Sequence, residues 1–183
     1  MNVKSVCVYC GSREGAQASY GLAADDLGAD LARRGMRLVY GAGDVGLMGR
    51  VARATQDAGG ETFGVIPEHL VRREVGKTDL TSFVVTETMH ERKKVMLMNA
   101  DAVVLLPGGA GSLDEFFEVL TWAQLGLHNK PIIMLNIDGY WDPLRTLLDH
   151  VIAEGFADAS LARLVTWAHT VPTAMDALQS SPD

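Results

Sequence analysis

Short apolar runs alternate with amphipathic stretches from one end of the 183-residue chain to the other. Residues 5–9, 37–40, 62–66, 82–86, 102–106 and 131–135 read as strands, with a last short one at 164–167. Between them, apolar positions recur at helical spacing over 19–34, 47–58, 68–73, 89–100, 112–125, 143–154 and 173–180. The strand-like runs are nearly continuous in apolar character, which fits strands covered on both faces. Repeated strand–helix alternation predicts an α/β fold, a parallel sheet with right-handed crossovers and helices on both faces. One domain is expected over residues 1–179, with 180–183 as a loose tail. Ligands of such sheets sit outside the carboxyl ends of the strands. The loops at that edge are residues 10–16, 41–46, the segment from Pro67, 87–88 and 107–111, and they include all the glycine-rich ones.

Among these, Pro107-Gly108-Gly109-Ala110-Gly111-Ser112-Leu113-Asp114-Glu115 carries the most chemistry. A strand runs into a glycine turn that opens a helix, and glycine lets backbone amides approach an anion closely. The first-turn amides lack intrahelical partners and the helix dipole adds positive potential, so the turn suits a phosphate. Ser112-Leu113-Asp114-Glu115 also fits an S-x-x-E capping box, which would use both side chains on the helix itself. Both readings stand at this point.

Gly41-Ala42-Gly43-Asp44-Val45-Gly46 matches G-x-G-x-x-G, and Glu61 lies near the distance expected for a ribose-binding acid. The motif follows the second strand rather than the first, Glu61 begins a strand rather than ending one, and Asp44 would repel a pyrophosphate. A tight turn that shapes a nucleotide pocket fits better than a dinucleotide site.

Thr88-Met89-His90-Glu91 is a second capping-box pattern, followed at once by Arg92, Lys93 and Lys94. Cations so near the positive end of a helix should cost stability, and removing Arg92 should spare or raise it. Met89, Arg92, Lys93 and Met96 share one face, an apolar stripe carrying positive charge at the ligand edge. That face is either a solvated basic surface or a site for an anion beside a flat apolar group. Glu74, after Arg72-Arg73, reads on its own as a surface carboxylate.

Composition narrows the function classes. A net charge of −7 argues against nucleic-acid binding by phosphate neutralisation, and no run approaches the length of a membrane span. The amino-terminal residues show no cleavage signature, so a cytoplasmic protein is expected. Cys7-Val8-Tyr9-Cys10 is nominally C-x-x-C, but its spacing along a strand sends the thiols to opposite faces, and buried unpaired thiols are expected. His69, His90, His128, His150 and His169 show no ligand spacing, so neither metal nor cofactor is expected.

Residues 40–49 (Tyr-Gly-Ala-Gly-Asp-Val-Gly-Leu-Met-Gly), Met89-His90-Glu91-Arg92-Lys93 and the stretch from Pro107 to Glu115 together resemble the Lonely Guy family of cytokinin riboside 5′-monophosphate phosphoribohydrolases, often mislabelled lysine decarboxylases. The likeness extends from Cys7-Val8-Tyr9-Cys10-Gly11-Ser12 to Asn136-Ile137-Asp138-Gly139-Tyr140 and includes Thr121-Trp122-Ala123-Gln124-Leu125-Gly126. It implies a Rossmann-like domain pairing as a homodimer, with sites near the interface and a small nucleotide as substrate. It implies Arg92 and Glu115 as the catalytic pair. Glu74, Lys93, Gly109, Ala110, Gly111, Ser112, Leu113, Asp114 and Thr121 would contact the nucleotide. The chain departs from the family pattern at Ser112 (threonine), Asp114 (often glutamate), Ala42 (glycine) and Asp44 (serine).

Overall fold

A computed structural model of the chain describes residues 3–71 and 79–180. In chain order the main elements are β1 (Ser5–Tyr9), α1 (Ala18–Arg33), β2 (Arg37–Tyr40), α2 (Gly46–Asp57), β3 (Thr62–Pro67) and α3 (Glu68–Val71). They continue with β4 (Ser82–Thr86), α4 (Met89–Met98), β5 (Ala102–Leu105), α5 (Ala110–Gln124), β6 (Ile132–Leu135), α6 (Asp142–Ala153), β7 (Val165–Ala168) and α7 (Val171–Ser180). The strands form one sheet in the order β4-β3-β2-β1-β5-β6-β7, and every pairing is parallel.

The strand side chains explain the two covered faces. All five residues of β1 are buried, and their alternation divides two cores. Val6 and Val8 join Leu27 and Leu31 of α1, Val51 of α2 and Leu178 of α7. Cys7 and Tyr9 face the other way, against Leu97 of α4, Phe116 of α5 and Leu148 of α6. The same alternation continues on β5, where Val104 belongs to the first core and Val103 and Leu105 to the second. Burying each such aliphatic side chain stabilises by about 1.5–3 kcal/mol, so a one-residue slip of a strand would invert both cores. The expected thiol arrangement is found: Cys7 and Cys10 are buried, unpaired and in opposite cores.

The strand order fixes where a ligand can enter. The chain moves outward from β1 to β4, then returns to lay β5 against the other side of β1, with Val6 opposite Ala102 and Tyr9 opposite Leu105. The reversal opens a crevice between the carboxyl ends of β1 and β5. The loops after those two strands are stitched together there, Gly11 N–H donating to the Pro107 carbonyl at 2.9 Å.

Candidate active site

A cavity of about 490 Å³ occupies that crevice. One end is the amino terminus of α5. Gly109, in an extended conformation, is the N-cap, and no side chain caps the helix. Ala110, Gly111 and Ser112 therefore supply the first-turn amides, and all three residues line the cavity with Gly109. The capping box read from Ser112-Leu113-Asp114-Glu115 is not formed. The helix begins two residues earlier, so Ser112 is its third residue, buried at 3% exposure, and Glu115 its sixth. Gly108 makes this start possible: a Cβ there would stand 2.1 Å from Ser112 Oγ and 3.0 Å from the Gly11 nitrogen.

The other glycine loop is spent internally. Leu47 and Met48 N–H, at the start of α2, donate to the Gly11 carbonyl at 3.0 and 3.4 Å. Gly46 has φ +61°, and a Cβ on it would run into the Ser12 and Arg13 backbone at 2.3–2.4 Å. The G-x-G-x-x-G segment thus joins α2 to the loop after β1 and closes one wall, as the tight-turn reading expects. Glu61 directly precedes β3, at the opposite edge of the sheet, and Asp44 pairs with Arg53 at 2.9 Å. Ala42 keeps a left-handed φ of 57° where the family pattern has glycine.

On α4 the expected capping box is present: Thr88 Oγ accepts from Glu91 N–H at 3.2 Å, and Glu91 Oε2 accepts from Thr88 N–H at 3.1 Å. The helix start is therefore fixed, and with it the direction of Arg92, its fourth residue. Arg92 is 5% exposed, so the face is not a solvated one. Its Nε donates to the Val65 carbonyl at 3.1 Å and its Nη2 to the Gly41 carbonyl at 2.6 Å. Two carbonyls at the ends of β3 and β2 offset the unfavourable helix dipole. This overturns the expectation that losing Arg92 spares stability. Arg92→Ala strands two buried carbonyls and opens a void, and should lower stability by about 2–4 kcal/mol in thermal melts. Arg92→Lys should recover only part of it, because an ammonium lacks the planar fork that reaches both acceptors.

Arg92 and Glu115 both line the cavity. Their charges register on the same neighbour: burial raises the Cys10 thiol pKa, Glu115 raises it further and Arg92 lowers it. Both groups therefore act near the carboxyl end of β1. Asp114 also lines the cavity, whereas Leu113 packs half-buried against the second core. Lys93 is buried outside the cavity wall, its Nζ 2.9 Å from Asp114 Oδ2 and 2.8 Å from Glu118 Oε2. Burial opposes its charge, but the hydrogen bonds it donates to Glu118 and Asp114 outweigh that and raise its pKa. Thr121 is exposed on α5 and is not part of the wall. Glu74, with Arg72 and Arg73, lies outside the described residues.

Several wall residues escaped the sequence reading. Arg13, Glu14 and Tyr20 follow β1, and Tyr140 follows β6. The only signal for them was their position after strands at the ligand edge. Met48, Met89 and Met96 complete a soft apolar side.

The fold and this cavity define an α/β protein of Rossmann-like topology with a helix terminus, uncapped by any side chain, open to the cavity at its switch point. A family model described as "possible lysine decarboxylase" matches residues 48–178. The cytokinin riboside 5′-monophosphate phosphoribohydrolase LOG of Oryza sativa subsp. japonica is 47% identical over 167 residues, 91% of this chain and 69% of that protein. The enzyme of the same name designated LOG2 in Arabidopsis thaliana is 40% identical over 96% of this chain and 83% of its own length. Among solved structures, the molybdenum cofactor binding protein of Rippkaea orientalis superposes with a TM-score of 0.73 at 23% identity, covering 98% of both chains. The chain belongs to the family of cytokinin riboside 5′-monophosphate phosphoribohydrolases.

Proposed function

We propose that the chain hydrolyses the N-glycosidic bond of N6-substituted adenosine 5′-monophosphates, and of AMP itself, releasing free base and ribose 5-phosphate. The observation that carries this reading is a single cavity holding the uncapped start of α5, Glu115 and Arg92. The names of the relatives supply the substrate class.

In this reading the 5′-phosphate sits on the amides of Gly109 to Ser112, which fixes the ribose for attack. Ser112 and Glu115, three apart, share a helix face about 4.5 Å apart along the axis, a step of ribose size. Water adds to the anomeric carbon, the carbon–nitrogen bond breaks with its electron pair going to the base, and the base takes up a proton. Glu115 meets the positive charge that develops on the ribose, as a carboxylate does in glycoside hydrolysis. Arg92, anchored on the Gly41 and Val65 carbonyls, holds a guanidinium against the same space. The methionines offer an apolar surface to the flat base.

A decarboxylase built on pyridoxal phosphate needs a lysine amine to hold that group. No lysine among the described residues lines the cavity, and Lys93 is bound to Asp114 and Glu118. These residues do not fit it. A second reading, a non-catalytic nucleotide carrier, takes its support from the fold shared with the molybdenum cofactor binding protein. A carrier needs the glycine turn but not Glu115. Mixing excess protein with AMP and, separately, with its N6-isopentenyl derivative decides between them. Free base within a single turnover is the expected result, whereas intact nucleotide recovered from both mixtures would establish the carrier.

The homodimer implied by the family resemblance is part of the proposal. Phe117, Thr121 and Leu125 form an exposed stripe along α5, with Leu125 67% exposed. A second protomer on that stripe would bring Thr121 into an interface. Light scattering should give about twice the 19.7 kDa chain mass, and a monomer would remove this part of the reading.

A further inference from the structure

The loop after β6 is built to deliver one hydroxyl. Asn136, 1% exposed, ends the strand and ties the loop back on itself. Its Oδ1 accepts from Trp141 N–H at 2.7 Å and its Nδ2 donates to Asp142 Oδ1 at 2.8 Å. Asp138 holds φ at 51°, a left-handed conformation that aspartate adopts more readily than most non-glycine residues, and Ser19 Oγ donates to its carboxylate at 2.5 Å. The loop closed between Asn136 and Trp141 presents Tyr140. Its ring lies edge-on to Tyr20 at 5.4 Å and to Trp141 at 4.8 Å. Its Oη donates to the Gly108 carbonyl at 2.6 Å.

That carbonyl belongs to the peptide unit whose N–H is Gly109, the N-cap of α5. In a trans peptide the C=O and N–H point in opposite directions, and the described chain holds no cis bond. With the carbonyl turned to Tyr140, the Gly109 N–H is turned away from it. Both flanking residues are glycines, so side chains do not oppose a flip of this peptide plane. A flip would put a carbonyl oxygen where the N–H stands, at the mouth of the helix that would receive an anion.

We propose that Tyr140 is a positioning residue: its hydroxyl holds the Gly108–Gly109 peptide in the orientation that accepts the substrate's phosphate. This rests on the phosphate-anchoring reading given above. It goes beyond it in assigning control of the cradle to an aromatic residue on a separate loop, which needs no contact with the substrate.

The test is Tyr140→Phe, which removes one oxygen and keeps the ring contacts. Binding of ribose 5-phosphate and of inorganic phosphate is measured by calorimetry, and the Gly109 amide resonance is followed in the ligand-free protein. KM and kcat for AMP and the melting temperature complete the set. Losing one hydrogen bond to a cradle held on glycines should weaken ribose 5-phosphate and raise the AMP KM by about tenfold. The change in kcat should be smaller, and the melting temperature should stay close to that of the parent. The Gly109 amide should shift or broaden before any ligand is added. Parent-like affinity in the variant would overturn the proposal and leave the phosphate cradle standing. Weakened affinity with an unmoved Gly109 amide would also overturn it, by making Tyr140 a direct ligand. If the parent protein binds neither phosphate nor ribose 5-phosphate, the cradle itself falls and Tyr140 with it.

Discussion

Replacing Glu115 by glutamine should cut kcat by at least about a hundredfold while leaving the fold and most nucleotide affinity intact. The geometry of α5 makes this a sharp test. Had Ser112 capped the helix, Glu115 would have served Ser112's own backbone, and glutamine could have replaced it there. The cap is Gly109, so Glu115 is the sixth helical residue and no capping duty remains for it. What glutamine removes is negative charge at the cavity wall, and charge is what an oxocarbenium-like transition state requires. Base-release rates with AMP, alongside thermal melts, check it. A stable and fully active variant would remove Glu115 from the chemistry.

Removing the 5′-phosphate from the substrate should cost more. The amides at the start of α5 can give the phosphate about three charge-assisted hydrogen bonds of roughly 1.5 kcal/mol each, about a thousandfold in kcat/KM. Those contacts also place the anomeric carbon, so part of the loss should fall on kcat. Comparing adenosine with AMP measures it directly. Equal kcat/KM values would mean that the open helix terminus does not anchor the substrate.

The sheet was largely legible because its signal is local. Residues 5–9, 37–40 and 82–86 became β1, β2 and β4 with the expected bounds, since a short run of apolar and β-branched residues needs no distant partner to be recognised, even on the partly exposed β4. The strand expected at 62–66 gains Pro67, and that expected at 164–167 moves one residue to Val165–Ala168. α5 starts at Ala110 rather than 112 because glycines hid its first turn: they are poor helix formers, yet Gly109 serves well as a cap. The S-x-x-E pattern spans four residues wherever it falls in a helix, and periodicity alone does not say whether it begins one. Arg92 shows the opposite difficulty. Its acceptors, Gly41 and Val65, lie 51 and 27 residues away, so its burial depends on contacts that no local pattern contains. Lys93, adjacent in sequence, is rotated about a quarter turn around the helix and meets Asp114 and Glu118 instead. A shared charge type in the sequence therefore became two different tasks in space.

The two thiols on β1 make the protein its own stability gauge. Cys7 is wholly enclosed in one core, while Cys10, 7% exposed in the other, also borders the cavity. A soluble maleimide reaches Cys7 only when the central strand opens, so its labelling rate measures the population of a globally unfolded chain. Cys10 is reached by a smaller opening of the crevice loops. An occupant of the cavity would slow the second reaction directly, and the first only through the overall gain in stability that binding confers. The pair separates local breathing at the crevice from collapse of the whole sheet within one reaction time course.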